Sequence, residues 1–547
     1  TVVLFRSFLL NRILGIVGSL TTLAMVMLFT ISLAAQQPES IPTVYEKIDV
    51  ALIFDANTEA VLADTRLQST IRRNVSFAKA RVYEVLRGGS GLNETFIIAE
   101  GTPGENTITN QQLLSGWYQK YHFALMTQAD NMGDIDLRRL EFIKELTTFC
   151  TDNDIHSYVV DQIVFPQMKL FLQENFHPAV KYNAMLIIGQ LNSQVVVTNE
   201  GRSVPAPLPA ALTLMVDAIK AGTETDAILL ASWIGVLRHV RLDRINQQIA
   251  TNDIVAIAGE AMKLLNQATP PANRSAGGQV WLQRRAIDVL AMIGQDDQKI
   301  LPKILSIMQD EKIAMSLRLT AARALKYFNY SPSTQVPVES TSNALGALIV
   351  RICRNEIDRV DQEKALVALQ NASGVSVGEG DMGDMGDMGG ALGGMGDMGG
   401  ALGGMGDMGG SDEGESKLEK IDKRQVDYTR RILVYQLFHV YEAIGEKQVR
   451  TTPPIGMYAA VVQDAAGQVA LDRIEDAMTK LIEILRIPEV DDSSEESEAE
   501  PNRDILLERI AAEIRKLESF VIPEETTPET VTADAPAAGA PAALPGL

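Results

Sequence analysis

The chain has 547 residues, 46% apolar and only 5% aromatic, with a formal net charge of −21. That length and apolar content allow a sizeable core. Two cysteines, Cys150 and Cys353, are too few for a disulfide framework, and the acidic balance excludes a phosphate-binding face, so no nucleic acid is expected as partner.

The charge is unevenly spread. Residues 371–416 hold nine acids, residues 487–501 seven and residues 521–547 four, with no base in any of the three. The rest of the chain is therefore close to neutral. Five histidines (His122, His156, His177, His239, His439) include no pair at metal-ligand spacing, so a zinc site is not expected. Both cysteines lie in apolar helical contexts, as buried thiols do; pairing between them is left open by the sequence.

Residues 1–35 predict an export signal or a membrane anchor. Arg6 and Arg12 precede an uncharged apolar run from Ile13 to Leu33, and small residues through Ala34 and Ala35 suit a signal peptidase. The run is also about long enough to span a bilayer. Cleaved or not, it places the remainder of the chain outside the cytoplasm, in the periplasm or cell envelope, anchored in the inner membrane by residues 13–33 if uncleaved.

Residues 36–110 predict an extended leader and a helical entry segment. Its helix runs from Leu67 to Leu86, with Ile71, Val75, Phe77, Ala78, Val82 and Leu86 on neighbouring turns and a stop at Arg87-Gly88-Gly89-Ser90-Gly91. That glycine run lacks the Gly-Lys-Ser/Thr ending of a phosphate loop.

Residues 111–370 predict helices throughout. Leu137, Leu140, Ile143 and Leu146 mark one. Tyr158 to Leu172 marks another, which Pro166 breaks or kinks. Further helices run over Val180 to Leu191, Ala210 to Ala221, Ala227 to Val240, Ile254 to Leu265, Val280 to Ile293, Ile304 to Met308 and Leu317 to Phe328. Residues 266–279, with Pro270-Pro271 and Gly277-Gly278, predict an inserted loop, and no strand-rich run is present.

Three stretches in this region repeat one another. They begin at Phe165-Pro166, Leu208-Pro209 and Leu301-Pro302. Each has apolar residues five and six positions after the proline, an acid at eight (Glu174, Asp217, Asp310), and about eighteen residues on an alanine within a second helix (Ala184, Ala227, Ala321). Basic residues accompany the second-helix element at Lys181, Arg285 and Arg318, and Gly189, Gly235 and Gly294 sit near expected helix ends. This pattern resembles the HEAT repeat, an armadillo-type α-solenoid family, here of an exported bacterial type. The resemblance covers about half the chain. It implies an all-α fold, a helical-repeat solenoid of stacked helix pairs, and a role in protein binding, with no shared catalytic residues.

Beyond the repeats, residues 371–416 form a Gly/Met/Asp low-complexity linker. Residues 417–486 predict amphipathic helices, including Arg430 to Ile444 and a 3,4-spaced seam of Leu471, Ile474, Met478, Leu481 and Leu485. An acidic linker (487–501), an amphipathic helix (502–520) with Leu507, Ile510, Ile514 and Leu517, and an Ala/Pro tail (521–547) complete the chain. The linkers and tail are expected to be disordered on composition.

Chemistry-bearing motifs are few. The methionines Met382, Met385, Met388, Met395, Met398, Met405 and Met408 stand in Met-x-x-Met spacing, and thioethers select Cu(I); the same units also suit a tolerated flexible linker. Ser90 and Ser232 lack a nucleophile-elbow context. Asp134 and Asp136 fit helix N-capping. Trp117, Tyr118, Tyr121 and Trp233 fit an aromatic core, or a stacking patch. The expected function is an extracytoplasmic scaffold that binds another protein on the solenoid surface. The alternative is a structural envelope component self-associating through residues 471–520, and a lesser one is Cu(I) capture by the linker. No enzyme activity and no cofactor are expected.

Overall fold

A computed structural model describes residues 44–51, 68–97, 107–196, 198–199, 202–272, 274–294, 299–330, 336–372, 417–447, 453–486 and 503–521. The fold is all-α, apart from two short hairpins among these residues. The chain divides into two compact units, one ending at Met215 and the other beginning at Val216, the boundary falling within the helix Pro209–Ala221.

In the first unit, residues 44–51 are in neither helix nor strand, and Glu46 N donates to the Asn175 carbonyl (2.9 Å) and Ala51 N to that of Lys120 (2.8 Å). Helix α1 (Gln68–Leu86) buries Ala78, Val82, Val85 and Leu86. Phe77, expected on that stripe, is 53% exposed, because it lies a full helical step round from Ala78. Gly88, at φ 73°, ends the turn beyond α1. Strands β1 (Thr95–Ile97) and β2 (Thr107–Thr109) pair as a hairpin. At three residues each they are too short to give an alternating pattern. Thr109 then caps α2 (Asn110–Ser115) in a reciprocal capping box with Gln112.

Wide π turns come next at Gly116–His122, Glu145–Phe149 and Tyr158–Val164, interleaved with α3 (Phe123–Met126), α4 (Ile135–Lys144), α5 (Asn153–Ser157) and α6 (Phe165–Gln173). The stripe predicted on α4 is not the buried one. Leu137 and Leu140 are 60% and 48% exposed, and Ile135, Phe142 and Leu146 fill the core. Residues spaced by three lag 60° per step, so Leu137 and Leu146 cannot share a face. Pro166 does not break its helical rod. It stands in the first turn of α6, behind a π turn in which Phe165 N bonds five residues back to Val160, and the wider turn accommodates the ring. Helix α7 (Pro178–Gln190) packs on α6 and on α4. The second hairpin, β3 (Thr198–Asn199) with β4 (Arg202–Ser203), precedes α8 (Pro209–Ala221).

The second unit continues with α9 (Asp226–Asn246), α10 (Thr251–Asn266), α11 (Ala276–Ile293), α12 (Ile300–Gln309), α13 (Met315–Ala324) with a 3-10 turn at Leu325–Tyr327, α14 (Val338–Ala372), α15 (Lys417–Ile444), α16 (Met457–Ala460), α17 (Ala465–Leu485) and α18 (Arg503–Val521). Helices pair with the next in sequence, α10 with α11, α12 with α13 and α14 with α15. The second members also pack in series, α9 on α11, α11 on α13 and α13 on α15. Helices α17 and α18 pack on α14 and on each other, and both seams are buried there: Leu471, Ile474, Met478, Leu481 and Leu485 in one, Leu507, Ile510, Ile514 and Leu517 in the other.

Three local expectations differ from the structure, and one helix is not marked by a stripe of its own. The inserted loop is shorter than predicted, because Gly277 and Gly278 lie in the first turn of α11, where Ser275 Oγ accepts from Gly278 N (2.9 Å). Gly235 lies within α9, whereas Gly294 does close α11 in the left-handed conformation. Ala227 is exposed in the first turn of α9, and Ala231, one turn on, is the buried alanine. The long α14 escapes the periodic pattern because its composition is mixed, with exposed Leu366, Val367 and Leu369 near its end.

Candidate interaction surface

The basic residues of the second-helix element have a definite task. A helix leaves its last carbonyls without partners, and a cation there also opposes the helix dipole. Lys181 Nζ on α7 donates to the Leu172 carbonyl at the end of α6 (3.1 Å), and Arg318 Nε on α13 donates to the Met308 carbonyl at the end of α12 (3.0 Å). Leu172 and Met308 each lie six residues after the proline of their repeat, so the bond recurs at equivalent positions. Gln283 on α11 does the same for α10, donating to the carbonyls of Leu264 (3.3 Å) and Gln267 (3.2 Å). Arg318 is buried, and burial pulls its pKa down.

Arg285, the other basic residue of the pattern, belongs to a set of polar rungs across the series of second helices. Arg284 Nε on α11 donates to Thr320 Oγ1 on α13 (3.2 Å). Arg323 on α13 meets Asp288 on α11 (2.5 Å), which also takes Arg285 (3.2 Å). Lys326 reaches Glu442 on α15 (3.0 Å). Arg244 near the end of α9 donates to the Tyr327 carbonyl (3.0 Å) and to Asn329 Oδ1 (3.3 Å). The Arg284 guanidinium lies over the Trp281 ring at 4.6 Å. Burial opposes the charge of Arg323, but Asp288 and then Glu442 outweigh it, and its pKa ends above the ordinary value.

Helix α15 contributes two adjacent rows. Tyr435, His439 and Glu442 form one row, whose Glu442 takes Lys326 in the turn after α13, and the Tyr435 and His439 rings pack edge to face at 5.0 Å. His439 is buried, and its Nδ1 has no hydrogen-bond partner. Burial, and then Arg323 and Arg284, push its pKa down to about 4, so it is neutral at physiological pH. Beside this row run Val434, Phe438 and Tyr441, all exposed, with the last two rings stacked at 6.4 Å.

The first unit holds a different centre. Glu145 is buried at the start of a π turn, and both its oxygens accept from phenols, Tyr83 (2.9 Å) and Tyr118 (3.2 Å). Lys79 pairs with Glu141 and stands 4.0 Å from Glu145. Burial raises the Glu145 pKa to about 6 against the phenols and Lys79, and burial also lifts Tyr118. His122 is buried among Tyr118, Phe123 and Phe142, and burial pushes it down to about 4. Each oxygen of Glu145 has a partner, so the arrangement satisfies a buried carboxylate inside a helical core.

The seven linker methionines, Met382, Met385, Met388, Met395, Met398, Met405 and Met408, lie outside the described residues, as do Arg6, Arg12 and the run 13–33. Among the described residues no group of three or more His, Cys, Asp or Glu can hold a metal ion, and no helix is long and apolar enough to cross a membrane. Cys150 and Cys353 are free and buried, and burial pushes both thiols up to about 12. Trp117, Tyr118 and Trp233 are core residues. Asp134 is an N-cap residue by position, but its side chain makes no capping bond. The Arg284–Trp281 stack and the Val434, Phe438, Tyr441 row do not stand out in the sequence. Their signal is the i, i+3 spacing of Trp281 and Arg284 and an aromatic row offset from Leu433, Leu437 and Val440. Compared with protein-family models, curated proteins and solved structures, the chain matches none.

Proposed function

We propose that the chain is a HEAT-like helical-repeat scaffold that works outside the cytoplasm and holds another protein along its row of second helices. The observation that carries this reading is the series of neighbour-but-one contacts, α9 to α11 to α13 to α15, in which α11, α13 and α15 are each also paired with their own first helix. That is the contact pattern of stacked repeats. The recurring bond from a second helix to the last carbonyls of the first, at Lys181 and Arg318, supports it from the level of single residues. Arg, Trp and Tyr on the row are the residue types that dominate binding energy in protein interfaces. Self-association through residues 471–520 gains no support, because both seams are already covered within one chain.

The test is capture of envelope proteins on the immobilised full chain, beside the Phe438→Asp variant. The reading predicts a defined protein held by the wild type and lost from a variant that melts normally. Equal capture by both, or none by either, contradicts it. Export rests on Arg6, Arg12 and the apolar run 13–33. Recovery of the chain in the soluble cytoplasmic fraction with Arg6 and Arg12 peptides intact would refute it.

A further inference from the structure

We propose that Trp281, Arg284, Arg285 and Arg323 form a carboxylate-binding strip for an acidic, amphipathic segment of the partner protein, with Phe438 and Tyr441 receiving the apolar side of that segment. This deepens the scaffold reading and rests on it.

The strip carries more donors than the chain itself uses. Arg284 spends only Nε, on Thr320, and among the described residues its two terminal nitrogens have no partner. Arg285 and Arg323 share the single carboxylate of Asp288. Four cations, Arg284, Arg285, Arg323 and Lys326, stand against two carboxylates, Asp288 and Glu442, an excess of two positive charges. Glu442 pairs with Lys326 and also acts on Arg323. His439 reports the same excess. It is buried behind the strip with Nδ1 unpartnered, and Arg323 and Arg284 add to burial in keeping it neutral.

The geometry suits carboxylates. A guanidinium offers a planar fork that matches two carboxylate oxygens. Arg284 is held for this in advance, stacked on Trp281 and fixed by Thr320, so little freedom is lost on binding. The apolar row of α15 lies one helical step from the row of Tyr435, His439 and Glu442. Because α11, α13 and α15 pack in series, the proposed segment crosses them, with its acids at the strip and its apolar residues at Phe438 and Tyr441. A few local cations suffice for a short acidic segment, whereas nucleic acid needs an extended basic face.

The probe is a fluorescein-labelled, end-blocked peptide made of repeated Leu-Glu-Glu-Leu units, titrated into the full chain and followed by anisotropy. The proposal predicts binding that weakens as salt rises, falls about tenfold or more in Arg284→Gln, and is only partly restored in Arg284→Lys, which keeps the charge but not the fork. The same peptide with Gln for Glu should bind at least about tenfold more weakly. Phe438→Ala should weaken the Glu peptide with its salt dependence intact. Each variant is first matched to the wild type in melting temperature. Three results overturn the proposal: equal binding by Arg284→Gln, equal binding of the Gln peptide, or displacement by inorganic phosphate at equal charge concentration, which would make the strip a free-anion site. A captured envelope protein that depends on Phe438 but not on Arg284 would leave the scaffold standing and remove this inference alone.

Discussion

Glu145 and the buried histidines bind protons differently in the folded and unfolded chain, so stability must depend on pH. The folded pKa of Glu145, about 6, lies above its ordinary value of 4.5. Its stabilising contribution is present below 4.5 and lost as pH rises through about 6. Glu145→Gln should therefore reduce the difference in stability of the first unit between pH 4.5 and pH 8 by about 2 kcal/mol, read by denaturant melts at the two values. His122, His156 and His439, held near 4, and His239, held near 3, work in the opposite sense. All four are depressed from 6.5 by burial, so the unfolded chain takes their protons first, and stability should fall steadily below about pH 6.5. A melting temperature constant from pH 7 to 4 would contradict this. Arg318→Met should cost about 1–3 kcal/mol, because the Met308 carbonyl loses its donor inside the protein. The sequence exposes Lys181 and Arg318 as recurring basic positions, since spacing survives in a linear pattern. It does not expose Arg284, whose role depends on which helix stacks alongside.

Elements are legible where their periodicity is clean. Helices α7 to α13 and α17 lie close to their predicted spans. The π turns are not, because a five-residue hydrogen bond leaves no compositional mark, and they shift the phase of every apolar stripe that crosses them. On α4 no such turn intervenes: Ile135 and Phe142, seven apart, share the buried face, and the i, i+3 row of Leu137 and Leu140 drifts off it. The link from α15 to α17 depends on one close approach. Gly445 has φ 80°, and a Cβ there would run into the Ile455 carbonyl oxygen, a backbone atom that cannot rotate away. Lys447 pins the same turn to Asp472 (3.1 Å) and Glu475 (2.8 Å) on α17. Gly445→Ala should destabilise the second unit by about 1–3 kcal/mol and raise hydrogen exchange at the junction of α15 and α17 first. An unchanged melt would mean the turn relaxes without penalty.

At the scale of the whole molecule, an all-α chain is readable from helical periodicity, and the helices opened at Pro166 and Pro302 pack on the next in sequence, α6 on α7 and α12 on α13. The chain's division near Met215 is not readable, because the boundary runs through a helix with no break in composition. The association of the helices beyond the low-complexity segment with those before it is also hidden, since a seam in sequence does not name the surface it covers. The central claim is that second helices stack in series, each supported by its neighbours. Ala321, fully buried on α13, tests it. Ala321→Leu should overpack that contact and cost about 1–3 kcal/mol, while Gln309→Ala, at an exposed helix end, should change stability by less than about 0.5 kcal/mol. The decisive measurement is native-state hydrogen exchange of Ala321→Leu across the second unit. The stacked arrangement predicts the largest increase in α12 and α13, a smaller one in α11 and α15, and the least in α9 and α18. A uniform increase over all of these helices would contradict the stack and identify the unit as a single cooperative bundle.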